Sequence, residues 1–140
     1  MEIVNRKARY NYTVLEEIEC GIKLKGTEIK SIRKGNANLN DCYARIKDME
    51  VFLINMFIKK YEEGNIFNHD ERRERKLLLH KNEFKGINNK IEKKGLTLIP
   101  LKLYIVRGNA KILLGLCKGK KLYDKRETIK KRDLERRELK

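Results

Sequence analysis

The sequence predicts a mainly β fold, a small closed or partly closed barrel of antiparallel strands that carries short helices. Residues 96–106 and 110–117 are rich in apolar residues and flank a turn at residues 107–109, which predicts a long β-hairpin. Residues 38–60 hold two further strands, the second apolar on both faces over part of its length. Pro100 lacks an amide donor, so it should lie at an edge or a bulge. With 140 residues, 40% of them hydrophobic, and no internal repeat or linker, the chain can build one modest core.

The first third of the chain predicts a basic start, a strand and a short helix. Residues 5–10 combine three cations, an amide and a ring, which fits either a frayed terminus or an arm along a phosphate backbone. Residues 12–22 favour an extended segment whose alternation fails near residues 16–19, so we expect a bend or bulge there. A helix of two turns then begins with Thr27 as its N-cap and ends at Gly35.

The middle of the chain predicts a turn, a polar loop and two helices. Residues 47–50 form the turn between the two strands, and residues 61–70 form the polar loop. Residues 71–76 carry four cations and precede three leucines, which predicts a short helix whose leucines are anchored in the core. A second helix follows, capped by Asn82 and ended by Gly95, with its apolar stripe in the core.

Residues 118–140 form a basic C-terminal tail. They hold eleven Lys or Arg and five Asp or Glu, a net charge of +6 within a chain whose net charge is +15. No Gly or Pro follows Gly119 to break a helix, but the apolar residues are too few to pack against a core. We therefore expect a barrel domain of residues 1–117 with about three short helices, followed by a tail that is disordered when free and helical against a polyanion.

The charge indicates a polyphosphate partner. A net charge of +15 and a pI near 9.8 favour nucleic acid over a membrane, because the sequence has no long apolar run and no basic amphipathic helix with bulky aromatics. Tyr123 stands among four cations, so its ring can stack on a base while the cations hold phosphates. A solvated tail with no specific partner is the alternative. The N-terminus has no apolar signal core, which predicts a cytoplasmic protein.

Little in the sequence indicates catalysis or metal binding. Cys20, Cys42 and Cys117 are odd in number and far apart, so we expect buried small side chains instead of a disulfide framework or a zinc site. The histidine–aspartate pair at residues 69–70 has no visible nucleophile or metal partner, so no catalytic residue is assigned. Of the three carboxylates at residues 16–19, two can balance neighbouring cations and one can accept hydrogen bonds from a base edge or a 2′-hydroxyl.

Several short motifs recur along the chain in the order of a known family. The motifs are NRKA at residues 5–8, ECGI at 19–22 with GTEIKSIR at 26–33, RKLLLH at 75–80, IPL at 99–101 and GKKLYDKR at 119–126. In these motifs the chain resembles the small protein B (SmpB) family, the SsrA-binding proteins of bacterial trans-translation. Together the motifs span nearly the whole chain and are highly specific. The chain departs from the family pattern in two respects. Glu71 stands where the family usually has Pro, and the tail is short for the family.

The resemblance implies an antiparallel barrel related to the oligonucleotide-binding (OB) fold, with helices on its flank. It implies that transfer-messenger RNA (tmRNA) is bound at its tRNA-like domain and delivered to ribosomes stalled without a stop codon, for rescue and nascent-chain tagging. A second implied partner is the ribosome, at the small-subunit decoding centre and the messenger channel. We expect a monomer that is not an enzyme and that needs no cofactor and no metal.

By matching position, the resemblance implies two sets of RNA-contacting residues. The residues expected to face tmRNA are Asn5, Arg6, Lys7, Glu19, Lys23, Arg75 and Lys76. The residues expected to meet the ribosome are Tyr123, Asp124, Lys125 and Arg126, followed along the empty channel by Lys130, Lys131 and Arg132. A tail that becomes ordered only in a vacant channel can sense that the messenger is absent.

Two other functions remain open from the residues alone. The first is a general single-strand RNA-binding protein of the barrel type. The second is a metal-dependent RNA-processing enzyme, which would need carboxylates clustered around a divalent ion. The available carboxylates are scattered in the sequence, at Glu19, Glu28, Asp41 and Asp70.

Overall fold

The computed structural model describes residues 2–119, with the backbone alone at residues 65–67. The strands are β1 (Glu2–Val4), β2 (Tyr12–Ile22), β3 (Ala37–Asn38), β4 (Tyr43–Lys47), β5 (Glu50–Ile54), β6 (Phe57–Ile58), β7 (Arg75–Leu78), β8 (Thr97–Val106) and β9 (Asn109–Gly119). The helices are α1 (Ala8–Asn11), α2 (Gly26–Arg33), α3 (Lys81–Lys94) and a 3-10 helix at Glu62–Phe67. Lys118 and Gly119, which were expected in the tail, are the last residues of β9. The predictions for the rest of the tail, including its ribosome-facing residues, lie outside the described part of the chain.

Six strands close into a barrel. Their order is β8-β4-β5-β7-β2-β9, and β9 pairs with β8 again, so the sheet closes on itself. Every pairing in the ring is antiparallel. Strand β1 adds to β8 outside the ring, and β3 pairs with β6 in a separate two-stranded sheet. The prediction of a mainly β fold, a small antiparallel barrel with flanking helices, is confirmed.

The barrel is filled by side chains that alternate along each strand. In β9, Ile112, Leu114 and Leu116 point inward and are buried, while Lys111 and Leu113 are partly exposed. Burying a side chain of this size stabilises the fold by about 1.5–3 kcal/mol. The outward positions of the same strands are therefore free to carry polar and charged groups.

Two bulges bend the long strands. The register of β2 against β9 shifts between Val14 and Glu16, and that of β8 against β9 shifts between Pro100 and Lys102. Each shift leaves one extra residue on one strand, which bends the strand and increases its twist. The irregularity predicted at Pro100 is confirmed. The one predicted near residues 16–19 lies just before them, at Leu15, and residues 16–21 pair with β9 in continuous register.

The two longer helices lie at opposite ends of the barrel. Helix α2 follows the end of β2, and α3 connects the end of β7 to the start of β8. Strands β2 and β9 show where each end lies. At the α2 end, Gly21 pairs with Lys111, which is next to the β8–β9 turn; at the other end, Tyr12 pairs with Gly119. The chain therefore enters its tail at the end away from α2. At about 3.3 Å per residue, the length of β2 separates the two ends by roughly 30 Å.

A buried ion-pair network joins α2 to β7. The side chains of Glu28 and Arg75 are fully buried and form an ion pair, and Arg73 also donates to Glu28. The Lys25 amide donates to the same carboxylate at 2.8 Å, and Arg75 donates to the Met56 carbonyl oxygen at 2.5 Å. Burial alone would raise the pKa of Glu28, but the hydrogen bonds from Arg73 and Lys25 and the charge of Arg75 hold it below the ordinary value of 4.5.

One predicted helix is a strand. The segment that was expected to be helical around residues 71–79 contains β7, in which Arg75 and Leu77 are buried while Leu78 is exposed. This alternation has a period of two, which is that of a strand. Strand β7 fills the gap between β5 and β2 and pairs with both, so tertiary pairing overrides the local pattern.

Three smaller predictions are also corrected. Thr27 is not the N-cap of α2, because the Glu28 carboxylate binds the Lys25 amide and so makes Lys25 the cap. Asn82 lies inside α3, whose N-cap is His80. The N-terminal segment is not a frayed terminus, since β1 pairs with β8 and α1 follows it closely.

The three cysteines occupy the interior. Cys20, Cys42 and Cys117 are buried and free, as predicted. Burial raises the pKa of the Cys20 and Cys42 thiols to about 12 and that of Cys117 to about 11, so these thiols are protonated at neutral pH. None of the helices within residues 2–119 is long and apolar enough to span a membrane.

Candidate nucleic-acid interface

Lys23 and Lys76 lie side by side on the outside of the barrel. The Lys23 amide donates a hydrogen bond of 2.9 Å to the Lys76 carbonyl oxygen, which places the end of β2 beside β7. On the other side of β7, Lys76 pairs with Phe52 of β5. The Lys76 ammonium lies 2.8 Å from a carboxylate oxygen of Glu50, in a pair open to solvent. Two of the predicted RNA-facing cations are thus neighbours.

A second row of residues crosses the same face one step along β2. Gly21 pairs with Leu78 of β7 and with Lys111 of β9, and Lys111 pairs with Tyr104 of β8. Leu78 is 50% exposed although it is apolar. A Cβ at Gly21 would lie 3.3 Å from the Leu78 Cβ, so a side chain there would crowd Leu78. The row offers an apolar side chain, a cation and a ring, the groups that bind phosphates and stacked bases.

Glu19 is held in place on this face by Tyr104. Glu19 lies on β2, is exposed, and accepts a hydrogen bond from the Tyr104 hydroxyl. Burial and this hydrogen bond raise the pKa of Tyr104 to about 12, so the hydroxyl is a donor at neutral pH. A carboxylate can accept about four hydrogen bonds. Glu19 therefore retains acceptor capacity for a ligand while its position is fixed.

These side chains define one surface, which we call the β2 face. It consists of Glu19, Lys23, Lys76, Leu78, Tyr104 and Lys111. The face carries three cations and a fixed carboxylate, and it also presents an aromatic ring and an exposed leucine. This composition suits RNA, whose phosphates need cations and whose exposed bases need acceptors and apolar or aromatic surfaces.

The N-terminal motif reaches this region through Arg6. Arg6 lines a hollow of about 280 Å³ that Glu17 of β2 and Lys102 of β8 also line. Lys7 lines a separate hollow of about 330 Å³, together with Tyr12. Arg6 and Lys7 are both exposed, so each can reach a phosphate, but they lie on different sides of the N-terminal segment.

Asn5 and Arg75 are buried, which differs from the expectation that their side chains face RNA. The Asn5 side-chain Nδ2 donates to the Pro100 carbonyl oxygen at 2.9 Å. The Asn5 backbone amide donates to the Leu101 carbonyl oxygen at 2.8 Å. Arg75 is 0% exposed because it is held by Glu28. Neither side chain presents a polar group to the outside in this conformation. Each instead fixes the backbone of the exposed residues that follow it.

Three residues of the β2 face were missed in the sequence. Tyr104 and Lys111 could have been paired by counting outward from the turn at residues 107–108, since that turn fixes the hairpin register. Leu78 gave no usable signal, because an exposed leucine in a strand cannot be distinguished by residue type from a buried one in a helix.

His69 belongs to the fold instead of to a reactive site. Its Nε2 lies 2.9 Å from the Ile58 carbonyl oxygen, and because a carbonyl oxygen only accepts, Nε2 carries the proton. Nδ1 then accepts from the Thr27 hydroxyl at 2.9 Å. Among the residues that the structure describes, no group of three or more His, Cys, Asp or Glu side chains is placed to hold a metal ion.

The comparisons with known proteins agree with one another. The family described as SmpB protein matches residues 2–140. The SsrA-binding protein of Ligilactobacillus salivarius is 57% identical over 132 residues, which cover 94% of this chain and 85% of that protein. The SsrA-binding protein of Caldicellulosiruptor bescii is 59% identical over 131 residues, covering 94% of this chain and 83% of that protein.

A solved structure is also similar. It is described as "tmRNA-SmpB: a journey to the center of the bacterial ribosome", shares 52% sequence identity and has a TM-score of 0.71. The match covers 86% of this chain and 85% of the other. Sequence motifs, barrel topology and similarity along nearly the whole length all point the same way, and the chain belongs to the SmpB protein family.

Proposed function

We propose that this protein binds the tRNA-like domain of tmRNA and delivers the RNA to stalled ribosomes for rescue and nascent-chain tagging. The observation that carries the proposal is the β2 face, where a carboxylate fixed by Tyr104 shares one outer face with three lysines on a barrel of the SmpB family. The relatives named SsrA-binding protein and the neighbour named for tmRNA and the ribosome support the same partners. The protein acts by binding, and it makes or breaks no bond itself.

Within this function the exposed residues of the body divide into two roles. The cations hold phosphates: Lys23 and Lys76 do so on the β2 face, Arg6 beside it, and Lys7 on the other side of the N-terminal segment. Glu19 accepts hydrogen bonds from a base edge or a 2′-hydroxyl. Asn5 and Arg75 are positioning residues that act through their neighbours.

The tail supplies the second contact. Residues 120–140, which follow the end of β9, would enter the vacant messenger channel and become helical there. Tyr123, Asp124, Lys125 and Arg126 would make the first contacts. Lys130, Lys131 and Arg132 would then lie further along the channel. An occupied channel excludes the tail, so tagging is restricted to ribosomes that lack a messenger at this point.

Substituting Glu19 tests the β2 face directly. Glu19→Ala should weaken binding of the isolated tRNA-like domain by about 1–3 kcal/mol, although it removes a negative charge, because RNA donors would lose their acceptor. The matched control is Glu17→Ala on the same strand. Glu17 lies 2.7 Å from Arg9 in an exposed ion pair, so its removal should leave affinity unchanged or higher. If a titration shows the two variants behaving alike, Glu19 is a local counter-ion and not an RNA contact.

Salt dependence tests Lys76. Each phosphate contact to duplex RNA should contribute a slope of about −0.9 when the logarithm of the binding constant is plotted against that of salt. Lys76→Ala should therefore flatten the slope by about one unit without changing which RNA is preferred. The control is Lys93→Ala, which removes an exposed lysine in the last turn of α3. A slope equal to that of the wild type would take Lys76 out of the phosphate-contacting set.

A further inference from the structure

The three exposed glutamates in the middle of β2 are held by partners of two kinds. Glu16 forms an ion pair with a lysine of α3, and Glu17 forms one with Arg9. Glu19 instead accepts a hydrogen bond from the hydroxyl of Tyr104. A cation cancels much of the charge of its carboxylate partner, whereas a neutral hydroxyl fixes the carboxylate and leaves its charge in place. Glu19 therefore differs from its two neighbours in the way it is held.

The hydroxyl of Tyr104 reaches Glu19 across an intervening strand. Glu19 pairs with Leu113 of β9, while Tyr104 of β8 pairs with Lys111 of β9, so β9 lies between the two residues. Neighbouring strands are about 4.8 Å apart, which places the backbones of β2 and β8 roughly 10 Å apart here. The tyrosine side chain extends over the outer side of β9 to make this bond, a distance that a serine or threonine hydroxyl at the same position could not cover.

The ring of Tyr104 is also held on its other side. Lys102 is two residues away on β8 and so points to the same face of the strand. Its ammonium lies 5.4 Å from the centre of the Tyr104 ring and 3.3 Å from a carboxylate oxygen of Glu2 in β1. The negative face of the ring attracts this cation. Strand β1 thus helps to set the position of the ring whose hydroxyl holds Glu19.

A carboxylate that keeps its charge accepts only certain groups of an RNA. Ionised Glu19 has acceptor sites and no donor, and a phosphate likewise has acceptors and a negative charge, so the two repel each other. The donors of an RNA are the amino and imino groups of its bases and its 2′-hydroxyls. The lysines of the β2 face attract any phosphate, but Glu19 favours an RNA that places a donor opposite it.

We propose that Tyr104 is a positioning residue that makes Glu19 a specificity-determining acceptor for the tRNA-like domain. Its hydroxyl occupies one oxygen of the carboxylate and aims the remaining lone pairs at an RNA donor. A cation at position 104 would instead turn Glu19 into an ion pair like that of Glu17, which would not discriminate between donors and phosphates. The inference rests on the proposed function, because it takes the ligand to be the tRNA-like domain.

Tyr104→Phe in the full-length protein tests the role of the hydroxyl, because it keeps the ring. Affinity for the tRNA-like domain should fall roughly tenfold, since the acceptor is no longer aimed. Affinity for a short RNA duplex of arbitrary sequence, which the lysines attract through its phosphates, should stay the same. The slope of the salt dependence should also stay the same. The control is Tyr43→Phe, which removes the hydroxyl of another exposed tyrosine, on β4, and should change neither affinity.

A double-mutant cycle shows whether Tyr104 acts through Glu19. In the Glu19→Ala background there is no carboxylate to position, so adding Tyr104→Phe should change the affinity for the tRNA-like domain by less than about twofold. An equal loss in both backgrounds would mean that the hydroxyl supports the fold or touches the RNA by itself, and would contradict the proposal. Thermal unfolding of each variant near the wild-type temperature shows that the barrel is intact.

Modified RNAs identify the donor that Glu19 accepts from. One set of tRNA-like domains lacks a single 2′-hydroxyl in each molecule, and a second set lacks a single exocyclic amino group of a base. At the contacted nucleotide, the modification should weaken binding to the wild-type protein and have little effect on the Glu19→Ala variant. A response in the first set assigns a 2′-hydroxyl, and a response in the second assigns a base edge.

The remaining outcomes contradict the inference or the function beneath it. Wild-type affinity of Tyr104→Phe for the tRNA-like domain would show that the hydroxyl does not position the acceptor. If no modified RNA in either set distinguishes the wild-type protein from Glu19→Ala, the carboxylate meets neither kind of donor, and the inference is wrong. Failure of the wild-type protein to bind the tRNA-like domain at all would contradict the proposed function, and the inference with it.

Discussion

Glu28→Gln is expected to lower the free energy of unfolding by about 3–5 kcal/mol, because it leaves the buried charge of Arg75 without its partner. The carboxylate also accepts from Arg73 and caps α2 through the Lys25 amide, so its loss weakens three contacts at once. Urea denaturation of the two proteins at pH 7 measures the difference. Both side chains are fully buried, so little of this effect should be screened by salt.

The Glu28→Gln substitution should also change how the free energy of unfolding depends on pH. The pKa of Glu28 in the folded state lies below its ordinary value of 4.5. The stabilisation that the ionised carboxylate gives to the fold is therefore complete when the pH is above about 4.5. It is lost as the pH falls through the lower, folded-state pKa. The wild-type protein should therefore lose stability more steeply than the Glu28→Gln variant when the pH is lowered below about 4.5.

An exposed pair provides the control. Glu50→Gln removes the partner of Lys76 from a pair in which both side chains are about two-fifths exposed, and it should cost less than about 1 kcal/mol. If Glu28→Gln also costs less than this, the buried network does not hold α2 against β7 as described.

Truncation after Gly119 is expected to abolish tagging of stalled nascent chains while leaving the barrel folded. The deletion removes residues 120–140, which carry ten Lys or Arg and five Asp or Glu. Every strand and helix described here ends at or before Gly119, which still pairs with Tyr12. The truncated protein should unfold near the wild-type temperature and should still bind the tRNA-like domain. A reconstituted translation assay measures the tagging.

A triple substitution separates a specific tail contact from an electrostatic one. Replacing Asp124, Lys125 and Arg126 by Ala changes the net charge of the tail by only one unit. If these residues are recognised on the ribosome, tagging should fall nearly as far as it does in the truncation. Tagging at the wild-type rate would mean that the tail serves only as a charged tether.

The sequence allowed the barrel to be predicted because its strands carry their own signals. The β8–β9 hairpin, the turn before β5 and the bulge at Pro100 each follow from local residue types. Strand β7 could not be found in this way. Its four residues are too few to show a clear period, and the pairing with β2 and β5 decides their conformation.

The proposed RNA-binding surface was predictable only in part. Glu19, Lys23 and Lys76 were identified through motif resemblance, and the structure places them on one face. Residue type alone did not reveal that Arg75 is buried, since an arginine reaches the interior only when a partner such as Glu28 is present there.

The central claim is that the protein recognises the folded tRNA-like domain of tmRNA. The most direct test is a gel shift that compares tmRNA, an ordinary elongator tRNA and an unstructured single-stranded RNA, each with and without magnesium. Binding should be tightest to tmRNA, weaker to the tRNA and weakest to the single strand, with no RNA cleaved. Equal affinity for the single strand would identify a general single-strand binder, and magnesium-dependent cleavage would identify an enzyme. Either result would contradict the claim.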